Sequence, residues 1–211
     1  MPYYKDKNIL FIHIPKTGGT SVEQYLKKIT KQTLYSKGLY DHILFEKFKL
    51  KTSLQHLTYK NICKYKNTLE VDFNEDLKII TIVRNPYDRI ISDLFYFNLI
   101  KEDTSSDDVY KIMKKYIYED CHDNHNIPQH EFLIDKNNRI VPHINIFKTE
   151  TLTNDLKQFG FTDFDLNFHQ NKLNIKKENY INYLNNDSIK LINEFYKKDF
   201  EFFNYEIKNI L

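Results

Sequence analysis

A chain of 211 residues is long enough for one medium α/β domain with a full core, and 31 Lys and Arg against 29 Asp and Glu leave a net charge of +2, so there is no basic footprint of the kind that tracks a nucleic-acid backbone. Two cysteines, Cys63 and Cys121, stand far apart without paired spacing, which argues against a disulfide framework or a zinc ribbon and makes a reduced, intracellular protein the default. No apolar run approaches the length of a membrane span, the first strand begins too near Met1 for a signal peptide, and most of the 15% aromatic residues, which include no Trp, are expected to be core or half-buried.

In chain order, Ile9 to Ile12 is a run of four apolar residues and predicts a short strand buried on both faces, as in a parallel sheet covered by helices. Pro15, Lys16, Thr17, Gly18 and Gly19 come next. This turn holds two of the chain's four glycines, which implies positive φ or a close backbone approach. Thr20 and Glu23 have capping-box spacing, and Val22, Tyr25, Leu26 and Ile29 recur at helical intervals, so a helix is predicted from the end of the turn to about Thr30. Lys31 to Ser53 has no clear period and reads as a connection; the lysine-rich run Lys47 to Lys51 within it reads as a solvated face that could also touch an acidic glycan. A short helix is predicted over Thr58 to Lys66 and a second buried strand over Leu77 to Val83. That strand runs into Asn85 as N-cap and Pro86 as first helical residue, with the helix reaching about Leu99. Lys101 to Asp108 reads as a loop, Val109 to Tyr118 as a helix, Ile144 to Phe147 as a third strand, and Leu152 to Phe159 as a helix closed by Gly160. Phe161 to Lys177 reads as an irregular crossing segment, and Ile189, Ile192, Phe195, Tyr196 and Phe200 predict one last amphipathic helix from about Asp187. Strands alternating with helices predict a single α/β domain over residues 1–211, a P-loop-like parallel β-sheet flanked by helices, with ligands at the carboxyl ends of its strands.

Both of the strongest strands end in residues suited to anions. Backbone N–H groups at a helix start, with the Lys16 ammonium and several hydroxyls beside them, form a nest for a phosphate or a sulfate. Arg84 ends the second strand, and if the two strands are neighbours, one ligand with two charged ends could span both loops. Lys16 stands before Gly18 and Gly19, the reverse of the order in triphosphate-binding loops, where the lysine comes after the glycines.

That order, together with the residues just after the second strand, resembles the sulfotransferases that use 3′-phosphoadenosine 5′-phosphosulfate (PAPS), above all the carbohydrate-type family, sulfotransferase family 2, which includes the uronyl 2-O-sulfotransferases and many bacterial and viral members. IPKTGGTS, Ile14 to Ser21, is similar to the family's 5′-phosphosulfate loop, and VRNPYDRIISDL, Val83 to Leu94, to its 3′-phosphate motif, with Arg84 and Ser92 at the matching positions. HNIPQHEFL from His125, FKTETLTNDL from Phe147 and the aromatic run Tyr196 to Tyr205 resemble further family segments.

The resemblance implies an O-sulfotransferase that moves a sulfuryl group from PAPS to a hydroxyl of a carbohydrate acceptor by in-line displacement, releases PAP and needs no metal. Lys16, Thr17, Gly18, Gly19, Thr20 and Ser21 would bind the 5′-phosphosulfate, Lys16 would balance charge on the leaving oxygen, and Arg84 and Ser92 would bind the 3′-phosphate. His56, in QHLTY, is the candidate base, and His125 and Gln129 would shape the acceptor pocket. A cytoplasmic enzyme of bacterial or viral type is expected, with a trimmed lumenal domain as the other possibility. Two alternatives stand beside this: a P-loop phosphotransferase using ATP or GTP, which the glycine–lysine order and the lack of a clear magnesium-binding aspartate after a strand disfavour, and an inactive nucleotide-binding module. Cys121, His122, His125 and His130 gather a thiol and three imidazoles in ten residues, but in no standard zinc spacing. Arg89 reads as structural, in a salt bridge or at the cofactor's edge, and His13 as a hydrogen-bonded core group.

Overall fold

Strand β1 (Tyr3–Tyr4) pairs antiparallel with β2 (Ile9–Ile12), which runs parallel to β3 (Lys78–Val83), which runs parallel to β4 (Ile144–Lys148). Ile9 stands opposite Lys78 and Ile79 opposite Ile144, so β2 and β3 are neighbours and their C-terminal loops leave from the same edge of the sheet. The computed structural model describes residues 3–30, 52–119, 123–165 and 177–209. Most of the expected connection between Lys31 and Ser53, the lysine run Lys47 to Lys51, Cys121, His122 and much of the crossing segment after Phe161 lie outside those residues.

The period-two alternation of the strands divides the core. Ile9, Phe11, Ile80, Ile82 and Phe147 face α1 (Gly19–Thr30), through Val22 and Leu26, and α5 (Leu152–Gln158), through Leu152 and Leu156. Leu10, Ile12, Ile79 and Val83 face the opposite side, where Leu54, Leu57, Phe132 and Ile62 of α2 (Tyr59–Lys64) pack. A third apolar cluster joins α3 (Pro86–Tyr96), α4 (Ser106–Tyr118), α6 (Asn186–Phe195) and α7 (Lys197–Phe203) through residues such as Ile91, Leu94, Met113, Ile192 and Phe200. Each fully buried side chain of this size contributes about 1.5–3 kcal/mol by leaving water.

The caps explain most helix starts. The Asn85 side chain accepts from Tyr87 N–H (3.0 Å) with Pro86 at the first helical position, Thr58 caps α2, and Asn185 accepts from Ser188 N–H (2.9 Å). Ser105 accepts from Asp108 N–H (3.2 Å), so α4 begins at Ser106, inside the stretch expected as loop. Two other expectations are corrected. The helix after Pro86 stops at Tyr96 rather than near Leu99, and the last amphipathic stretch is two helices because buried Tyr196 leaves helical dihedrals (φ −100°, ψ 21°). No helix among the described residues is long and apolar enough to cross a membrane.

Candidate active site

The loop after β2 is folded by its own side chains. Thr17 Oγ1 donates to the Ile14 carbonyl (2.8 Å), Thr149 Oγ1 donates to the Thr17 carbonyl (2.6 Å), and Arg89 Nε donates to the Pro15 carbonyl (3.0 Å). Lys16 takes a left-handed backbone (φ 65°) and Gly18 a φ of 92°. The two glycines serve different needs: Gly18 supplies the positive φ, whereas a Cβ on Gly19 would stand 2.3 Å from His13 Nε2. Gly19 and Thr20 open α1, so their N–H groups have no acceptor within the helix. Ser21 N–H is already engaged by the Gly18 carbonyl (3.2 Å), which removes it from the expected nest.

The expected capping box is not formed. Glu23 is buried, its Oε1 2.8 Å from His13 Nδ1 and its Oε2 accepting from Gln55 Nε2 (2.8 Å). His13, whose Nδ1 also lies 2.9 Å from Gln55 Nε2, is thus the bonded core histidine expected. In this way Glu23 ties the loop to the segment that carries His56.

Arg84 closes the second loop. It is 6% exposed, its Nη1 donates to the Lys16 carbonyl (3.2 Å), and its guanidinium carbon lies 5.4 Å above the Tyr180 ring. Its Nη2 is buried without a hydrogen-bond partner among the described residues. A buried, unengaged donor on a cation is costly, and an anion would engage it. Gln129, expected in the acceptor pocket, is fully buried with its amide bracketing Arg84: Oε1 accepts from Arg84 N–H (2.9 Å) and Nε2 donates to the Arg84 carbonyl (2.8 Å).

Lys16 Nζ lies 4.1 Å above the ring of Tyr96, which is one helical turn past buried Ser92 on α3. Burial pushes the Lys16 ammonium below its ordinary value; Asp93 works against that shift and Arg84 adds to it. Arg89, expected in a salt bridge or at the cofactor's edge, engages backbone carbonyls. Besides Pro15, it donates to the carbonyls of Ile127 (3.0 Å) and His125 (2.7 Å).

His56 ends a short 3-10 turn, Leu54–His56, and its Nδ1 is 2.8 Å from Asp123 Oδ2. Asp123 is held by Thr52 Oγ1 (2.8 Å), Ser53 Oγ (2.9 Å) and Ser53 N–H. Burial raises the Asp123 carboxyl, but these hydrogen bonds and His56 outweigh it and bring it to about 2. Burial lowers the His56 imidazole; the Asp123 bond opposes this, and His13 and His125 reinforce it. The rings of His13 and His125 stand edge-on to His56 at 5.1 and 5.0 Å. His125 Nδ1 is 2.7 Å from Asp93, which also accepts from Tyr116 OH (2.6 Å), and the His125 ring lies parallel to Tyr96 at 5.5 Å. His56 and Lys16 therefore connect through His125 and Tyr96.

His125 and His130 do not converge. His130 Nδ1 goes to Asp199 (2.7 Å), whereas the ligand-type atoms of His56, Asp123 and His125 fall within 4.8 Å of one another. The Asp123 oxygens in that group are already engaged by four donors.

A family model described as Sulfotransferase family matches residues 3–206. The chain belongs to the sulfotransferase family. Searches of curated proteins and of solved structures find no match. As a sulfotransferase, the chain is a transferase with a single α/β domain, and its two cationic loops lie on one edge of the sheet. Sequence reasoning missed Asp123, Asp93, Gln55 and Tyr96. Only Tyr96 leaves a local signal, the four-residue spacing from Ser92; the others are joined to their partners by the fold alone.

Proposed function

We propose that this sulfotransferase moves a sulfuryl group from PAPS to a hydroxyl of a carbohydrate acceptor. The observation that carries the donor assignment is the unpartnered, buried Nη2 of Arg84 next to the glycine loop. A second cationic grip beside a helix-start nest suits a nucleotide phosphorylated at both its 5′ and 3′ positions, whereas ATP has no 3′-phosphate for Arg84 to hold.

PAPS supplies the sulfuryl group and departs as PAP. The N–H groups of Thr17 to Thr20, with the Thr20 and Ser21 hydroxyls, hold the 5′-phosphosulfate; Arg84 and Ser92 hold the 3′-phosphate. Asp123 accepts a hydrogen bond from His56 Nδ1–H, which leaves Nε2 as the basic nitrogen. This nitrogen takes the acceptor's hydroxyl proton as the acceptor oxygen bonds sulfur and the bond from sulfur to the phosphate oxygen breaks. Lys16 moves from the Tyr96 face to that departing oxygen and balances its charge. His125 borders the acceptor side through its contacts with His56 and Tyr96. The oxidation state of sulfur is unchanged throughout, so the transfer requires no redox partner.

Thermal-shift titration with PAP, ATP and GTP tests the donor. Stabilisation by PAP without magnesium supports the assignment, and magnesium-dependent stabilisation by ATP or GTP alone refutes it. Transfer of labelled sulfate from PAPS to a panel of glycans then tests the acceptor class and separates an active enzyme from a binding module.

A further inference from the structure

Arg84 reaches its anion only if its backbone is held at the end of β3, and the C-terminal helix α7 supplies that hold through two buried side chains. Asp199 of α7 is fully buried and accepts from three donors: Gln129 N–H (2.7 Å), His130 N–H (2.9 Å) and His130 Nδ1 (2.7 Å). This fixes the turn Gln129–Phe132 and aims the Gln129 side chain. The Gln129 carboxamide then engages both the N–H and the carbonyl of Arg84.

In an extended strand, the N–H and carbonyl of one residue point to the same side. Gln129 therefore acts as one more peptide unit in the ladder, placed one residue beyond Val83, where β3 ends. On the other side, the Val83 carbonyl accepts from Thr149 N–H (2.8 Å). A carboxamide of this length offers the donor and the acceptor that the two ends of the bracket need, which the isosteric carboxylate does not.

We infer that Gln129 and Asp199 are positioning residues for donor selectivity: α7 sets Gln129, Gln129 sets the Arg84 backbone, and Arg84 thereby discriminates a 3′-phosphorylated nucleotide from one that lacks the phosphate. The inference rests on the donor assignment above. It removes Gln129 from the acceptor pocket and gives the buried Asp199 a function that the transfer step does not use.

The test compares binding of PAP and adenosine 5′-phosphate, which lacks the 3′-phosphate, by calorimetry on the full chain. Gln129→Glu keeps the shape but sets a carboxylate against the Arg84 carbonyl. Expected is a loss of about ten- to hundredfold in PAP affinity with adenosine 5′-phosphate affinity unchanged. A defect that is only structural would lower both. Asp199→Asn, one link further out, is expected to give a smaller loss with the same selectivity and serves as the second variant if Gln129→Glu does not fold. In an Arg84→Ala background, Gln129→Glu should cost PAP affinity nothing further. Retained PAP preference in a folded Gln129→Glu protein overturns the inference while leaving the donor assignment standing. A wild-type protein without preference for PAP overturns the donor assignment and the inference with it.

Discussion

Gly19→Ala probes how tightly the anion loop is built against the histidine row. The added Cβ would sit 2.3 Å from His13 Nε2 and 2.4 Å from Cδ2, where ordinary contact is 3.4–4 Å. His13 would have to retreat by about 1 Å (3.4 − 2.3). It has little room: Nδ1 is 2.8 Å from Glu23, the ring stacks on Phe11 at 5.4 Å, and its edge meets His56 at 5.1 Å. A 1 Å retreat would distort the Glu23 contact and the packing on Phe11 and His56. Overpacking costs about 1–3 kcal/mol, and a weakened bond to a buried carboxylate adds about 1.5–3 kcal/mol, so about 2.5–6 kcal/mol is expected in total. For a chain of this length, that lowers Tm by about 5–24 °C in a thermal melt. Gly18→Ala meets only ordinary contacts, nearest Leu152 at 3.7 Å, and is destabilised mainly by its φ of 92°, about 1–2 kcal/mol. His13→Ala combined with Gly19→Ala should be less destabilised than the sum of the single changes, because the clash is gone. A Gly19→Ala Tm within about 2 °C of wild type, or strict additivity with His13→Ala, would refute the close-approach argument.

His56 must be neutral to take a proton, and burial holds its imidazole below 6.5, so the rate should rise with pH through a value under 6.5 and then stay level across neutrality. Asp123→Asn removes a contact that raises that value; the acid limb should move lower still, and the plateau should fall by up to about 10²–10⁴-fold as the ring loses its orienting partner. An acid limb above 6.5 in the pH–rate profile would sink this assignment. Asp123 itself, lowered from 3.8 to about 2, contributes stability that is present above 3.8 and lost as pH falls toward 2, about 2 kcal/mol in all. Urea midpoints of wild type and Asp123→Asn should differ at pH 7 and converge near pH 2. Arg89→Lys replaces a fork bonded to three carbonyls with a single ammonium in a buried position and should cost about 3–5 kcal/mol, read as a drop in Tm; a neutral effect would contradict the clamp described.

Local signals carried much of the fold. The apolar runs at Ile9 and Ile79 and the Asn85–Pro86 start predicted elements that the structure contains, because buried strands and capped helices depend on residues adjacent in sequence. Local reasoning failed where a side chain was claimed from a distance. Glu23 has capping-box spacing with Thr20, but His13 and Gln55 engage its carboxylate. The resemblance implied Gln129 at the acceptor pocket, whereas both ends of its amide are engaged by Arg84. The two-residue β1 is too short to show any period.

The sequence by itself determined the parts: a glycine turn with lysine before it, an arginine at the end of the next buried strand, and histidines at 56 and 125. Composition, spacing and propensity act over a few residues and are legible there. The tertiary structure decided how the parts join. Parallel pairing of β2 with β3 sets Arg84 on the Lys16 carbonyl, chain crossing sets Asp123 against His56 and Asp93 against His125, and α7 reaches back through Asp199 to fix Gln129. Those partners lie between 32 and 70 residues apart, and only burial against a shared core brings them within hydrogen-bond reach.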